Sequence, residues 1–318
     1  EPFASNPAVL DAVEKNHKKL QIAMTKLYPG NLVLSLSSGI MYHRLVDRIT
    51  ALNDVPREPL VPRRLGKNMC VPFGKILRGK VVPNTVTKTL HTDKVYEPDL
   101  NSFTIEPFPY YSPLKSQIET IKSFDRPVIL VDDLVHTANR LQVLVPQLRE
   151  DGIPIKKVVV GVLSGYGRDL MQCLKVPVES IYSMPNLRQW FVESTLYPFI
   201  GGDTVRREEM KVAGLQPSIN MILPYATPRL SGCSREALVE FSACCIENSR
   251  DLFQVLEAEY RKMYAKNLTL SRLSEAVILP LCPDKGSCME YDENLAASVY
   301  LENDLETLWR MKEFLIKG

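Results

Sequence analysis

A short apolar run that ends in two adjacent carboxylates constrains the fold of this chain more than any other feature. The run covers residues 127–131, and Asp132 and Asp133 follow it at once. It is too short for a helix, and its β-branched residues predict a strand buried in a parallel sheet. A polar turn at residues 136–139 and an amphipathic run at residues 140–150 come next. We therefore predict a strand, a turn and a helix, with the acid pair at the carboxyl end of the strand.

This position is where ligands bind in open α/β folds. Ligands lie outside the carboxyl ends of the strands, where the helices begin. The first N–H groups of a helix can bind an anion such as a phosphate, and carboxylates accept hydrogen bonds from hydroxyl groups. The stretch therefore indicates a ligand that carries both hydroxyl groups and phosphate.

The middle of the chain predicts an α/β fold with a doubly wound, mainly parallel sheet. Further strands are predicted at residues 157–163 and 178–184, and helices at residues 140–150 and 168–174 separate them. The order β-α-β-α-β is typical of parallel strands joined by right-handed crossovers. No G-x-G-x-x-G motif follows any predicted strand, so a Rossmann dinucleotide site is excluded.

A second strand, turn and helix is predicted upstream. An apolar run at residues 31–36 ends in Ser37, Ser38 and Gly39, and a helical pattern follows at residues 41–52. A small polar turn of this kind can bring backbone amides close to a phosphate. An ordinary connection between a strand and a helix has the same pattern, so the residues alone leave both interpretations open.

Residues 61–122 are irregular and basic, with short strands predicted at residues 69–73 and 103–107. A loop this long in a compact domain is usually functional or mobile. The polar segment at residues 87–94 carries several cations. It is either a lid that brings positive charge to an anionic substrate or a solvated charged surface, since lysines normally lie outside.

The predicted organisation has four segments, and only the second carries chemical motifs. Residues 1–30 form a helix that packs on the core, residues 31–185 form the α/β core, and residues 231–318 form a helical subdomain. Residues 186–230 are an aromatic connecting or hood segment. Its aromatic side chains either wall a pocket or pack a satellite core, and the large burial energy of aromatic rings favours packing.

Composition limits the classes of partner. The 39 basic and 37 acidic side chains nearly cancel, so no nucleic-acid partner is expected from bulk charge. No apolar run is long enough to cross a membrane, and the seven cysteines show no disulfide framework or zinc spacing, which favours a cytoplasmic location. Because the first residue is Glu1 rather than Met, we expect either a trimmed chain or a part of a longer one.

Residues 128–137 (Val-Ile-Leu-Val-Asp-Asp-Leu-Val-His-Thr) resemble the phosphoribosyl-pyrophosphate (PRPP) signature of type I phosphoribosyltransferases. In that signature, four hydrophobic residues, two acids and two further hydrophobic residues precede a Thr-Gly-rich turn that opens a helix. The resemblance extends more loosely over residues 31–184 and does not cover the last third of the chain. It implies a parallel sheet of phosphoribosyltransferase type and a homodimer as one expected assembly, whereas the C-terminal helical subdomain is predicted from the helical pattern of the last third alone.

The resemblance also implies a reaction and its residues. Asp132 and Asp133 would bind the ribose hydroxyls, stabilise positive charge at the anomeric carbon and act through PRPP-bound Mg²⁺. The other implied substrate-binding residues belong to a phosphate turn (His136, Thr137, Ala138, Asn139 and Arg140), a pyrophosphate loop (Ser37, Ser38 and Gly39) and a basic lid (Lys88, His91 and Lys94). The expected ligand is a phosphorylated sugar or a nucleotide.

The turn departs from the family pattern at two positions. It reads Thr137-Ala138-Asn139-Arg140, where the family usually has Thr-Gly-x-Thr. Alanine resists a positive φ and crowds an approaching phosphate, whereas Arg140 replaces a hydroxyl with a charged phosphate donor. Two functions are therefore kept: a transferase that moves ribose 5-phosphate from PRPP to an unidentified acceptor and releases pyrophosphate, and a non-catalytic PRPP- or nucleotide-binding module that regulates or scaffolds.

Overall fold

The computed structural model describes residues 3–62, 64–207, 212, 214–228, 230, 232–283 and 290–317. In chain order its α-helices are α1 Pro7–Leu27, α2 Ser38–Leu52, α3 Leu114–Lys122, α4 Asn139–Glu150, α5 Gly165–Cys173, α6 Glu193–Leu196, α7 Arg235–Tyr264 and α8 Ala297–Lys317. Its strands are β1 Met69–Pro72, β2 Val86–Thr87, β3 Thr92–Tyr96, β4 Phe103–Pro107, β5 Val128–Val135, β6 Ile155–Ser164, β7 Val178–Met184, β8 Asp203–Val205, β9 Gln216–Ile219 and β10 Leu281–Pro283. A 3₁₀ helix covers Leu270–Glu275.

The chain folds into two compact units. The first, here called the α/β unit, contains Leu36–Lys94 and Thr104–Trp190. The second, here called the mixed unit, contains Glu1–Ser35, Val95–Phe103 and Phe191–Gly318. This grouping differs from the predicted one, in which residues 1–30 pack on the α/β core.

The α/β unit is built on a five-stranded sheet with the order β2-β1-β5-β6-β7, and its strand pairs are parallel. Alternate residues of the central strand β5 face opposite sides. Val128 and Leu130 pack in a core with side chains of α3, α4 and α5, whereas Ile129 and Val131 pack in a core with α2. The predicted fold class, an α/β fold with a mainly parallel sheet and a C-terminal helical region, is confirmed.

The mixed unit has its core around the long helix α7. Helix α1 is fixed to α7 by reciprocal hydrogen bonds, in which the Asn16 side chain donates to the Asn248 carbonyl (2.6 Å) and the Asn248 side chain donates to the Asn16 carbonyl (2.9 Å). In this unit β9 pairs in parallel with β10 and antiparallel with β8, and residues 95–96 of β3 pair in parallel with β8. The N-terminal helix therefore belongs to the packing of α7.

The aromatic side chains of the predicted hood segment are mostly core residues. Tyr197, Phe199 and Tyr225 are buried in the main apolar cluster of the mixed unit. The Phe199 ring contacts the rings of Phe253 and Tyr300 at centroid distances of 6.2 Å. Packing, the interpretation favoured by burial energy, describes these rings better than a pocket wall does.

The strand predicted at residues 31–36 was wrong. These residues have no strand structure, and their apolar side chains are exposed, Leu32 by 84% and Leu34 by 57%. The alternating pattern is that of a strand, but β1 rather than this segment pairs with β5 in the sheet. The hydrophobic periodicity of a segment shows only that it could form a strand. Whether the strand forms depends on pairing with residues far away in sequence.

Residues 87–94, for which the sequence left both a lid and a solvated charged surface open, contain regular backbone pairing, and the lid stays a prediction. The Lys88 amide donates to the Cys70 carbonyl (3.0 Å) and the Leu90 amide donates to the Pro72 carbonyl (2.9 Å), so the chain after β2 continues along β1. Lys94 lies in β3. Backbone pairing holds this segment in place, whereas the sequence showed only its charges and its prolines.

The C-terminal third differs from its prediction in detail. Within the helical subdomain predicted at residues 231–318, Leu270–Glu275 is a short 3₁₀ helix, residues 281–283 form a strand, and the last helix begins at Ala297. Cys288 lies outside the described residues, and Cys70, Cys173, Cys233, Cys244 and Cys245 are free cysteines. No helix in the described part of the chain is long and apolar enough to cross a membrane.

Candidate functional site

The acid pair lies near the carboxyl end of the central strand. Strand β5 continues through the pair to Val135, four residues beyond the predicted end, because its later residues keep pairing with β6. Asp132 is buried, with 6% of its surface exposed, and Asp133 is partly buried. The Asp133 amide donates a hydrogen bond to Asp132 Oδ1 (2.8 Å). The two carboxyl groups therefore interact directly in a poorly solvated place.

The two carboxyl groups titrate in opposite directions. Burial, and then the neighbouring charge of Asp133, raise the pKa of Asp132 well above its usual value. Burial opposes the shift at Asp133, but the hydrogen bond with Asp132 and the charges of Arg140 and Lys75 lower the pKa of Asp133. Asp132 therefore holds its proton to a higher pH than Asp133 does, as expected of two like charges held close together.

The turn after β1 lies against this pair. A Cβ atom added to Gly74 would stand 1.9 Å from Asp132 Oδ1 and 2.6 Å from Asp133 Oδ1. Only glycine permits such an approach of backbone to carboxylate. Lys75 follows at once in the sequence, and its charge acts on Asp133. The loop that faces the acids therefore follows the first core strand, β1.

The predicted phosphate turn joins β5 to α4. Ala138 is the N-cap of α4 and has φ 52° and ψ 19°, the left-handed conformation that glycine adopts without strain. Its methyl group is packed in the apolar core of the α/β unit, with 7% exposure. No side chain caps α4, so the N–H groups of its first turn lack an intrahelical partner. The backbone thus has a conformation that favours glycine, and the Ala138 methyl group packs in the core.

The other residues of this turn differ in their contacts. His136 Nδ1 lies 2.8 Å from the hydroxyl of the buried Ser164, which also caps α5 by accepting from the Gly167 amide (2.9 Å). Thr137 accepts a hydrogen bond from the Asn139 side chain (2.9 Å). Arg140, in the first turn of α4, acts on both acids through its charge. His136 is thus tied to the start of α5, and Arg140 faces the acid pair.

Cations and aromatic rings form a second cluster next to the acids. The Arg78 guanidinium lies 4.9 Å from the centre of the Phe108 ring, and the His91 ring stacks on Tyr111 at 3.7 Å. Burial, followed by the charge of Arg78, lowers the pKa of His91. Burial lowers the pKa of Arg78, and the charge of Asp93, then that of Arg140 and more weakly that of Asp133, also act on it. Of the predicted lid residues, the structure thus places His91 in this cluster, beside Tyr111.

The predicted pyrophosphate loop is a helix start. The Ser37 side chain caps α2 by accepting a hydrogen bond from the Ile40 amide (3.4 Å), and Ser38 and Gly39 begin that helix. A Cβ atom at Gly39 would meet only Ser37 Oγ, at 3.7 Å. Capping accounts for Ser37 without a ligand.

Substitution of Gly39 tests whether this turn binds phosphate. We expect Gly39→Ala to leave the affinity for PRPP unchanged within about twofold and to keep or raise the free energy of unfolding, since alanine is about 1 kcal/mol better than glycine in a helix. Calorimetric titration and a chemical-denaturation curve measure the two quantities. A loss of PRPP affinity greater than tenfold would restore the phosphate role of this turn.

A magnesium ion fits the site as a partner of a bound ligand. Within the described ranges, no three His, Cys, Asp or Glu side chains form a group that could hold a metal ion by themselves. Mg²⁺ is commonly bound by one or two carboxylates together with substrate phosphate oxygens and water. The ionised Asp133 and its neighbour Asp132 supply that donor type, so the residues present agree with an ion that arrives with a phosphorylated ligand.

Sequence reasoning missed Gly74, Lys75 and Arg78. The strand at residues 69–73 was predicted, and the glycine directly after it was the available signal, because a glycine after a buried strand marks a close approach of the backbone. The apolar run at residues 31–36 was taken as the first core strand instead. The contact of His91 with Tyr111 had no signal in the sequence.

Comparisons with known proteins give similarities of fold. No protein-family model matches the chain, and no curated protein matches it. A purine phosphoribosyltransferase from Pyrococcus horikoshii is 12% identical and aligns over 50% of this chain and 97% of its own, with a TM-score of 0.30. A hypoxanthine phosphoribosyltransferase from Trypanosoma cruzi, in complex with IMP, is 17% identical over 50% and 80%, with a TM-score of 0.29. An adenine phosphoribosyltransferase from Thermoanaerobacter pseudethanolicus is 10% identical over 52% and 99%, with a TM-score of 0.28.

Proposed function

We propose that the α/β unit transfers ribose 5-phosphate from PRPP to an acceptor and releases pyrophosphate. The observation that carries the proposal is the carboxyl pair Asp132–Asp133 at the end of the central parallel strand, with the uncapped start of α4 following it. A carboxyl pair suits a vicinal diol, and free helix N–H groups suit a phosphate. Both groups occur on the same sugar phosphate in PRPP.

The residues of the site have separate roles in this reaction. The N–H groups at the start of α4, with Arg140, bind the 5-phosphate and fix the sugar. Asp133, ionised and partly buried, accepts from a ribose hydroxyl and stabilises the positive charge that develops at the anomeric carbon. Asp132, protonated, donates to or accepts from the second hydroxyl. Lys75 lies where its charge can act on the departing phosphates.

The bond changes balance without a further reactant. The bond between the anomeric carbon and the pyrophosphate oxygen breaks, and its electron pair leaves with pyrophosphate. A lone pair of the acceptor forms the new bond to the same carbon, and the acceptor loses a proton to water. Mg²⁺ bound to the phosphate oxygens would neutralise the charge of the leaving group.

A non-catalytic binding module is the second candidate, and one observation favours it. Ala138 holds the left-handed conformation with a side chain at a cost of about 1–2 kcal/mol, so the phosphate turn is built with strain that a glycine would remove. A module that only senses PRPP or a nucleotide needs the phosphate contacts but not the charge stabilisation at the anomeric carbon. A measurement of PRPP binding together with one of pyrophosphate release therefore distinguishes the two candidate functions.

The experiment is a titration followed by a turnover assay on the full chain. Calorimetry with PRPP, with and without Mg²⁺, measures binding, and release of pyrophosphate in the presence of a panel of bases, amines and aromatic acids measures transfer. The transferase predicts binding that is stronger with Mg²⁺ and pyrophosphate release that requires an acceptor. Binding without a phosphoribosyl product against the whole panel would favour the module, and an absence of PRPP binding would exclude the transferase.

A further inference from the structure

Every buried polar side-chain atom that lacks a partner in the described part of the α/β unit lies in one cluster. These atoms are Arg78 Nε, His91 Nδ1 and Thr92 Oγ1. Native proteins pair nearly all such atoms, and an exception indicates an unseen water, ion or ligand. The three residues are neighbours, since His91 and Thr92 are consecutive and the Arg78 side chain donates to the Thr92 carbonyl.

Contacts show that the three residues form a single group. Arg78 Nη2 donates to the Thr92 carbonyl (3.3 Å), and the charge of Arg78 acts on the neighbouring His91 ring. The backbone of His91 is fixed on both sides, since its amide donates to Gln117 Oε1 (2.8 Å) and its carbonyl accepts from Gln117 Nε2 (3.2 Å). Thr92 is fully buried. The unpaired atoms are therefore held in place before any partner arrives.

The chemistry of these atoms calls for an anionic oxygen. Arginine Nε–H is a donor only, and a threonine hydroxyl can donate. His91 is more neutral than usual, because burial and the charges of Arg78 and Lys88 lower its pKa, and a neutral ring can donate from Nδ1 when that atom carries the proton. A carboxylate or phosphate oxygen accepts from such donors with charge-assisted hydrogen bonds.

The surroundings indicate a planar ring attached to that oxygen group. Phe108 lies under the guanidinium, and the stacked Tyr111 ring covers His91 while its own side chain stays about half exposed, at 49%. Apolar ring faces suit an aromatic body better than a strongly hydrated inorganic anion. The charge of Asp133 acts on Arg78, so the cluster lies within electrostatic reach of the acid pair.

We propose that Arg78, His91 and Thr92 form the acceptor subsite of the α/β unit and bind a carboxylate or phosphate group carried by a planar ring. This subsite rests on the proposed transfer reaction, and it names the class of acceptor that the reaction would use. The closed Tyr111 ring moves aside when the ring enters, so that the anionic oxygen reaches Arg78 Nε and the Thr92 hydroxyl.

Thr92→Val is the decisive variant, because the valine side chain has nearly the same shape without the hydroxyl. An unpaired buried hydroxyl costs stability in the free protein, so we expect Thr92→Val to keep or raise the melting temperature. The matched control is Thr50→Val in α2, where the buried hydroxyl donates to the carbonyls of Val46 and Asp47 (both 3.0 Å). That control should lower the melting temperature by about 2–4 °C and leave ligand binding unchanged.

The binding probes are benzoate, phenyl phosphate, the uncharged benzamide and inorganic pyrophosphate, titrated into the full chain with PRPP alongside. We expect benzoate or phenyl phosphate to bind and benzamide to bind at least tenfold more weakly. Thr92→Val and Arg78→Gln should each lower the affinity for the anionic ring compound by about tenfold or more. Pyrophosphate affinity should stay within twofold in Thr92→Val.

Three results would overturn the subsite. The first is that neither benzoate nor phenyl phosphate binds. The second is that Thr92→Val lowers the melting temperature as much as Thr50→Val does. The third is that Thr92→Val loses affinity for pyrophosphate alone, which would assign the cluster to the binding of PRPP. If the unmodified chain does not bind PRPP but binds the anionic ring compounds as expected, the proposed transfer reaction is wrong and the anion-binding site remains. The two proposals can thus fail separately.

Discussion

Gly74→Ala is expected to destroy the acid-pair site. The added methyl group would stand 1.9 Å from Asp132 Oδ1 and 2.6 Å from Asp133 Oδ1, far inside van der Waals contact. Asp132 is almost fully buried and bonded to the Asp133 amide, so neither carboxyl can turn away without losing a contact. We expect the free energy of unfolding to fall by about 1–3 kcal/mol, as for other overpacked sites. PRPP affinity should fall by roughly 100-fold or more, because two hydrogen bonds to a charged or shared-proton pair are misplaced.

Gly39→Ala is the matched control for this substitution. Both glycines lie in the α/β unit without a positive φ, but a Cβ atom at Gly39 has no neighbour closer than 3.7 Å. Denaturation and calorimetric titration of both variants separate crowding of the acids from the general effect of an alanine. Unchanged PRPP affinity in Gly74→Ala would show that the acid pair does not bind the ligand.

The sheet and the acid pair were predictable because their signals are local. The β-branched run of β5, the two acids after it and the helical period of α4 lie within residues 128–150, and each follows from short-range rules. The same holds for β6, α5 and β7. These elements alternate in sequence order, and right-handed crossovers then fix most of the sheet.

The remaining features depend on contacts between distant residues. Residues 31–36 have the pattern of a strand but no partner, whereas β1 is only four residues long and is recognised by its pairing with β5. Gly74 is significant only because Asp132 lies opposite it. The Arg78 cluster joins the loop after β1 to the start of β3 and to Tyr111, and no single window of sequence contains all three.

The two acids are expected to respond differently to substitution, since they differ in protonation. Asp133→Asn removes the ionised carboxylate, so transfer should slow by about 10²–10³-fold, the usual effect of losing one group that stabilises transition-state charge. Asp132→Asn replaces a protonated carboxyl with a neutral amide that can still donate to Asp133, so the loss should be smaller. The double variant should show no turnover. Initial rates of pyrophosphate release measure all three, and turnover that survives the double change would contradict the proposed reaction.

The pH dependence of stability provides an independent measure of the shared proton. The folded-state pKa of Asp132 is raised above its ordinary value near 3.8, so between these two values the folded chain binds one more proton than the unfolded chain. The contribution of Asp132 to the free energy of unfolding therefore has its full value below about pH 3.8. It is lost as the pH rises through the folded-state pKa. The lowered pKa of Asp133 acts only at more acidic pH, where it makes stability fall with falling pH.

Denaturation curves from pH 4 upward should thus show a decline in the unmodified chain that disappears in Asp132→Asn. In Asp133→Asn the decline should persist in reduced form, because burial of Asp132 remains while the neighbouring charge is gone. The stability difference between Asp132→Asn and the unmodified chain should therefore grow with pH in favour of the variant. Parallel curves for the two proteins would mean that Asp132 is ionised in the folded chain. Asp132 could then not donate a hydrogen bond to a ribose hydroxyl, and its role would not differ from that of Asp133.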